Sequence, residues 1–355
     1  MVTMHELFSN RRRNLLFLAI VAAIFCALAV AALYRQQMLA APHYESQTFF
    51  PDLAHHVREV TRIHVVSQSH GAFDVAFKPE TGWVLPGRGN YPAAFDQVRK
   101  AIVAIAALQT VEPKTARVDW LHYLDLDPPS TGGKGLLITL SNEKGKDLAS
   151  LIIGKSENIG DANGLTGYYV RKPDTMQSWL VKGALDIKGD PAAWMDKDVV
   201  TVDRARIQSV EVVPATGPRY SVARKKPSDA DFTLRDLPPG RELQSAQSPN
   251  GVATAITGFS FDDIRPAKDL DFSNAAQLLT HTFDGLTVTV RVLEKDQSYW
   301  ATVSADAAPG KPAAAKEARD INAHASGWAY KLPAYKAAQF TTSLESLLKP
   351  LSKKK

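Results

Sequence analysis

Hydrophobic and polar positions change rhythm several times along the chain, and each rhythm predicts a different element. Residues 15–34 (LLFLAIVAAIFCALAVAALY) contain no charged or amide side chain. At ~1.5 Å per residue, a helix of that length covers the ~30 Å hydrocarbon core of a bilayer, so the run predicts one membrane-spanning helix. Further along, 62–67 (RIHVVS) and 73–77 (FDVAF) alternate or cluster apolar residues as strands do. A turn at Glu80-Thr81-Gly82 leads to Trp83-Val84-Leu85, completing a small antiparallel meander. From Tyr91-Pro92 the period becomes three and four. Phe95, Val98, Ile102, Ile105 and Leu108 then share one face of a predicted helix that Glu112-Pro113 closes and that is expected to cover the meander.

A Pro- and Gly-rich loop (127–133) precedes LLITL (136–140) and LASLII (148–153), which read as a hairpin around 142–145. Residues 168–171 and 177–181 form two more predicted strands about Pro173-Asp174, followed by a helical stretch before Trp194. Strands come in groups with helices between the groups. That pattern places the chain in the α+β class with mainly antiparallel sheets, not in a doubly wound parallel fold.

The order then repeats. Arg62-Ile63-His64-Val65-Val66 is echoed by 206–212 (RIQSVEV), Gly82-Trp83-Val84-Leu85 by Asp231-Phe232-Thr233-Leu234, and the helix by 251–259 (GVATAITGF) closed at Arg265-Pro266. Residues 135–140 (GLLITL) match 285–290 (GLTVTV), and 167–173 (GYYVRKP) match 327–333 (GWAYKLP). The expected organisation is an N-terminal lead (1–14), the spanning helix (15–34), a linker (35–48), two tandem divergent copies of one antiparallel-sheet-plus-helix unit (49–202 and 203–349), and a basic tail (350–355). An insertion at 306–326, opening Asp-Ala-Ala-Pro-Gly-Lys-Pro, is expected to be mobile with a short exposed helix. Phe340, Leu344, Leu347 and Leu348 make the last segment amphipathic.

Charge sets the expected side. Arg11, Arg12 and Arg13 precede the apolar run and Arg35 follows it, so the bulk of the chain is expected in the periplasm, attached to the inner membrane by a signal anchor. A cleaved signal peptide fits less well, because its apolar region is shorter. Of the formal charge of +5, the first 34 residues carry +2, and Lys353, Lys354 and Lys355 equal the remainder. Positive charge is otherwise spread along the chain, and no nucleic-acid partner is expected. The one cysteine, Cys26, lies in the apolar run, which leaves the remainder without thiol chemistry or disulfides.

No set of residues assembles a reaction. Ser141-Asn142-Glu143-Lys144 spells S-x-x-K on a hairpin turn, without S-D-N or K-T-G. Gly132-Gly133-Lys134-Gly135 lacks the leading glycine and the Ser or Thr of a phosphate loop. His55, His56, His64 and His70 do not have metal-ligand spacing. Asp125 with Asp127, and Asp269 with Asp271, sit among turn residues where Asp caps backbone N–H groups. Asp161-Ala162-Asn163-Gly164 starts a calcium loop that no closing Glu completes. No catalytic residue, metal or cofactor is expected. One packing face is predicted instead. Ala19, Ala23, Ala27 and Ala31 recur every four residues, a ridge on which another helix could approach closely.

The predicted helix, the hairpin and 194–200 (WMDKDVV) resemble the family called domain of unknown function 4340. Residues 282–286 (TFDGL) and 326–336 (SGWAYKLPAYK) look like its proteobacterial members. Members are typically single-pass envelope proteins that accompany gliding-motility-type ABC transporter components. The resemblance therefore implies a non-enzymatic, membrane-anchored accessory or binding subunit beside a permease and its ATPase. The alternatives are an envelope hydrolase acting on glycan or peptide, or a scaffold or sensor unrelated to transport.

Overall fold

Two antiparallel sheets carry most of the regular structure of the computed structural model, which describes residues 18, 20–32, 45–160 and 166–350. The first contains β1 (Val60–Ser67), β2 (Gly71–Lys78), β3 (Gly82–Leu85), β4 (Tyr91–Pro92), β5 (Gln109–Pro113), β6 (Leu136–Asn142), β7 (Asp147–Asn158), β8 (Thr166–Arg171) and β9 (Ser178–Lys182). Their spatial order is β4-β3-β2-β1-β6-β7-β8-β9-β5. The second contains β10 (Ile207–Val213), β11 (Tyr220–Ala223), β12 (Thr233–Leu234), β13 (Asp263–Pro266), β14 (Ala276–Thr282), β15 (Leu286–Lys295), β16 (Ser298–Ala307) and β17 (Trp328–Leu332). Its order is β12-β11-β10-β14-β15-β16-β17-β13. Both orders follow one plan. A first meander, of four strands in the first sheet and three in the second, meets a four-strand meander, and the strand lying between them in sequence crosses over to close the far edge.

Six helices join the strands: α1 (Leu53–His56), α2 (Phe95–Ala106), α3 (Ser248–Ala253), α4 (Pro312–Ala325), α5 (Ala334–Phe340) and α6 (Leu344–Leu347). The protein is thus mostly β, not α+β. The helix expected before Trp194 is a short 3-10 turn, Pro191–Trp194, and the nine-residue helix expected at 251–259 shrinks to α3. Glu112-Pro113 and Arg265-Pro266 do not close helices but lie in the edge strands β5 and β13. The hairpin matches also shift. Residues 285–290 fall largely in β15, whose place in the plan corresponds to β7, whereas 136–140 lie in β6, which corresponds to β14.

The expected membrane-spanning helix is corrected too. Among the described residues no helix is long and apolar enough to cross a membrane. Residues 15–17, 19, 33 and 34 of the apolar run lie outside the described residues.

Alternation builds the cores. Ile63, Val65, Ile138, Leu140, Leu151, Val170 and Val181 are buried on the inner face of the first sheet, and α2 lays Val98, Ala101, Ile102 and Ile105 into the same core. Each such Val, Leu or Ile contributes ~1.5–3 kcal/mol when fully buried. In the second unit α4 buries Ala314, Ala318, Ile321 and Ala325, a stripe of mainly small residues that lets the helix approach β16 closely. The expected mobile insertion is therefore an anchored helix. Arg206 secures it further, donating from Nη1 and Nη2 to Glu317 at 2.8 and 2.7 Å. Phe340, Leu344, Leu347 and Leu348 complete this core, and Lys336, itself buried, donates to the Ala255 and Thr257 carbonyls.

The units meet at Tyr91. Its fully buried ring stands edge-on to Trp328, Phe261 and Tyr330 with centroids 5.2, 6.0 and 6.3 Å away, and its hydroxyl donates to the Asp196 carbonyl at 2.9 Å. Burial pushes the Tyr91 and Tyr330 phenols well up, so both stay protonated. Lys197 donates to the Phe261 carbonyl at 2.7 Å, and Arg88 pairs with Asp263 at 2.9 Å. At Gly89, φ is +66° and a Cβ would lie 3.2 Å from the Trp328 ring, so a side chain there is both strained and crowded.

Candidate functional site

Two surfaces of the first unit expose apolar side chains in an organised way. The first is the outward side of α2. A helix laid on a sheet buries one stripe, and here the opposite stripe is not wholly polar. Phe95 and Val103 are 62 % and 52 % exposed, two helical turns apart, with Arg99 between them. The 3- and 4-residue spacing groups Phe95 with the core positions. In the structure it is the first helical residue after Ala94 and stays exposed, at the mouth of the cleft that Phe77 and Trp83 also line.

Clefts flank this ridge on both sides. One, of about 380 Å³, lies between α2 and the β2–β3 hairpin, with Val57, Val60, Phe77, Trp83, Val98 and Ile102 in its walls. Phe77 is 45 % exposed there and meets Trp83 edge-to-face at 5.8 Å. The other, of about 450 Å³, is lined by Ala101, Ala104, Ala107, Ala184 and Ile187. Arg58, Arg99 and Lys100 add positive charge at the cleft walls.

The second surface lies on the opposite face of the same sheet. The chain between β5 and β6 forms a 3-10 helix, Val118–Leu124, which buries Leu121 in a small separate core with Leu126 and Ile152. Burying Leu121 turns its neighbours outward, leaving Trp120 50 % and Tyr123 64 % exposed. Together with Tyr169 of β8, Lys114, Thr115 and Leu124 they line a cleft of about 370 Å³. The rings are held in place. The Arg117 guanidinium lies 5.1 Å from the Trp120 ring, Lys155 donates to the Tyr123 carbonyl at 2.9 Å, and the Tyr169 hydroxyl donates to Glu157. Desolvation and then that hydrogen bond push the Tyr169 phenol up to about 12, so it remains a donor.

A more polar groove of about 680 Å³ lies on the second unit, along β10, β11, β14 and β15. Two of its ionisable groups are engaged with the protein. His281 Nδ1 is 3.0 Å from Thr287 Oγ1, and Glu211 pairs with Arg219 at 3.7 Å.

The motifs weighed in the sequence do not converge. His56 meets Glu59, His64 meets Asp74, and His70 meets Ser69, each locally. Among the described residues no group of three His, Cys, Asp or Glu could hold a metal ion. Asp271 accepts from the Ser273 N–H at 2.9 Å, and Asp125 ends the 3-10 helix with a left-handed backbone. Ser141 hydrogen-bonds Asp147, while Asn142 Oδ1 accepts from the Lys144 and Lys146 N–H groups, an arrangement that belongs to a turn. Asp161, Asn163 and Gly164 lie outside the described residues, as does Ala19; Ala23, Ala27 and Ala31 are exposed on the helical stretch 20–32. Neither surface of the first unit was among the sequence candidates. The signal for the aromatic cleft, Trp120 and Tyr123 three apart around Leu121, is present in the sequence but too short to give a period.

The pattern of a family described as a domain of unknown function (DUF4340) matches residues 83–277, more than half of the chain. The match runs from β3 to β14, so it includes α2, the aromatic cleft and the start of the second unit. No curated protein and no solved structure matches the chain.

Proposed function

The chain belongs to that family, and from this premise we propose that it is a non-catalytic accessory or binding subunit of an ABC-type transport system, working on the periplasmic side of the inner membrane and contacting the permease through α2. The observation that carries this reading is the α2 ridge. Phe95 and Val103 stand on a rigid helix between two apolar clefts, which suits the side chains of a partner element, and an exposed apolar surface of this kind marks an interaction site. Arg58 and Lys100 at the cleft walls favour a partner whose rim is acidic, Arg99 being already paired with Asp96. The resemblance to envelope proteins that accompany such transporters supports the choice of partner.

The test is co-purification with candidate ABC-type permease and ATPase components from the same cells. Phe95→Asp combined with Val103→Asp changes only exposed side chains and should leave the melting temperature within ~2 °C of the parent. It should reduce recovery of the permease at least tenfold, while Lys268→Asp on the second unit should not. Equal recovery with the double variant, or no recovery with the parent, contradicts the proposal.

A further inference from the structure

We propose that the cleft formed by Trp120, Tyr123 and Tyr169 is a carbohydrate-binding site in which these rings stack against a pyranose. The argument starts from the duplication. Tyr169 lies on β8 and Trp300 on β16, which hold the same place in the two sheet orders, and both face away from the main core. In each unit the chain leaving the crossover edge strand, β5 or β13, runs over this outer face before entering β6 or β14. In the second unit that segment, together with β13 itself, closes the site. The Arg265 guanidinium lies 3.7 Å from the centre of the Trp300 ring, and Leu270 and Phe272 pack beside it, leaving Trp300 4 % exposed. In the first unit the segment is longer and does the opposite, adding two more exposed aromatics around an open cleft. The fold can thus cover this position with its own side chains, and in the first unit it presents rings to solvent instead.

The chemistry of the cleft selects the ligand. Aromatic faces carry negative charge density and attract the weakly positive C–H face of a sugar ring. Sugar hydroxyls need both donors and acceptors at the rim, and both are present. Lys114 pairs with Glu112 and Arg117 with Asp119, while Tyr169 donates to Glu157. Paired in this way, the rim cations give little net attraction to phosphates and other anions. At about 370 Å³ the cleft is at the small end of the ~300–1,000 Å³ typical of small-molecule sites, a volume that suits one or two sugar rings. This inference does not depend on the α2 ridge.

Calorimetric titration of the full chain tests it, with cellobiose, maltose, mannobiose and N,N′-diacetylchitobiose as probes, and mannitol and a proline decapeptide as rivals. At least one disaccharide should bind saturably. Trp120→Ala and Tyr123→Ala should each weaken that binding about tenfold or more, ~1.4 kcal/mol, without lowering the melting temperature. Trp120→Phe should retain most of it. The proposal is overturned if no disaccharide saturates, if both alanine variants bind as the parent does, or if only mannitol or the proline peptide binds.

Discussion

Asn322 Nδ2 donates to the Ala305 carbonyl at 2.7 Å and Asn322 Oδ1 accepts from the Ala305 N–H at 2.8 Å. One side-chain amide therefore does for β16 what a neighbouring strand would do. β17 pairs with β16 only over Tyr299, Trp300 and Ala301, so the strand beyond would otherwise present unpaired backbone groups, and α4 supplies the missing partner. Removing the amide leaves a buried donor and a buried acceptor unsatisfied. Asn322→Ala should therefore lower stability by ~2–4 kcal/mol in urea unfolding, and Asn322→Asp, which keeps only acceptors, should also destabilise. A loss within 0.5 kcal/mol, as for an ordinary surface change, would mean the edge is satisfied some other way.

Tyr91 couples the two units. It comes from β4, which has no counterpart in the second sheet, and its ring lies among Phe261, Trp328 and Tyr330 of the second unit. The parent should unfold in one cooperative transition by calorimetry. Tyr91→Ala should cost ~3–5 kcal/mol and split that transition in two, while Tyr91→Phe, losing only the bond to Asp196, should cost ~1 kcal/mol and keep it single. A single unshifted transition in the alanine variant would show that the interface does not couple the units.

Acid sensitivity should centre in part on Asp74. Partial burial raises its carboxyl pKa, but hydrogen bonds from Arg62 at 2.9 and 3.0 Å and the contact with His64 at 2.8 Å more than offset this, and the folded value is lowered. The unfolded chain then binds more protons, so the contribution is fully present above the unfolded value near pH 3.9 and fades as pH falls through the lower folded one. Because the pair is largely solvent-exposed, the effect is only ~1 kcal/mol. Asp74→Asn should be less stable than the parent at pH 7, and the two should converge below pH 4. Parallel stability curves would remove Asp74 from the acid response.

How much of this was legible in the sequence depended on the kind of signal. The meander β1–β3 and the helix α2 follow from alternation and from 3- and 4-residue spacing, because each buries one face. Periodicity does not say how far the covered sheet extends, however, and so it grouped Phe95 with Val98 when only Val98 reaches the core. A short exposed helix is expected where α4 lies, but its buried face is hidden by composition. Alanine carries little hydrophobic signal, yet Ala314, Ala318 and Ala325 bury a face by fitting close to β16, and neither the Asn322 amide nor the Arg206–Glu317 pair can be inferred before the strand edge is known. The tandem hairpins misled in the same way. Two adjacent strands with similar alternation, β14 and β15, compete to match β6, and only hydrogen-bonded order resolves them. The aromatic cleft depends on which side of a short 3-10 turn faces the sheet, which a single buried leucine decides.

The most direct measurement of the central claim is site-specific photocrosslinking in cells, with a photoreactive phenylalanine analogue in place of Phe95 or Val103. Both sites should crosslink to the proposed permease. The same analogue in place of Lys268, exposed on the second unit, should not. Crosslinking to the permease from Lys268 but from neither α2 position, or from none of the three while the complex is intact, would contradict α2 as the docking surface.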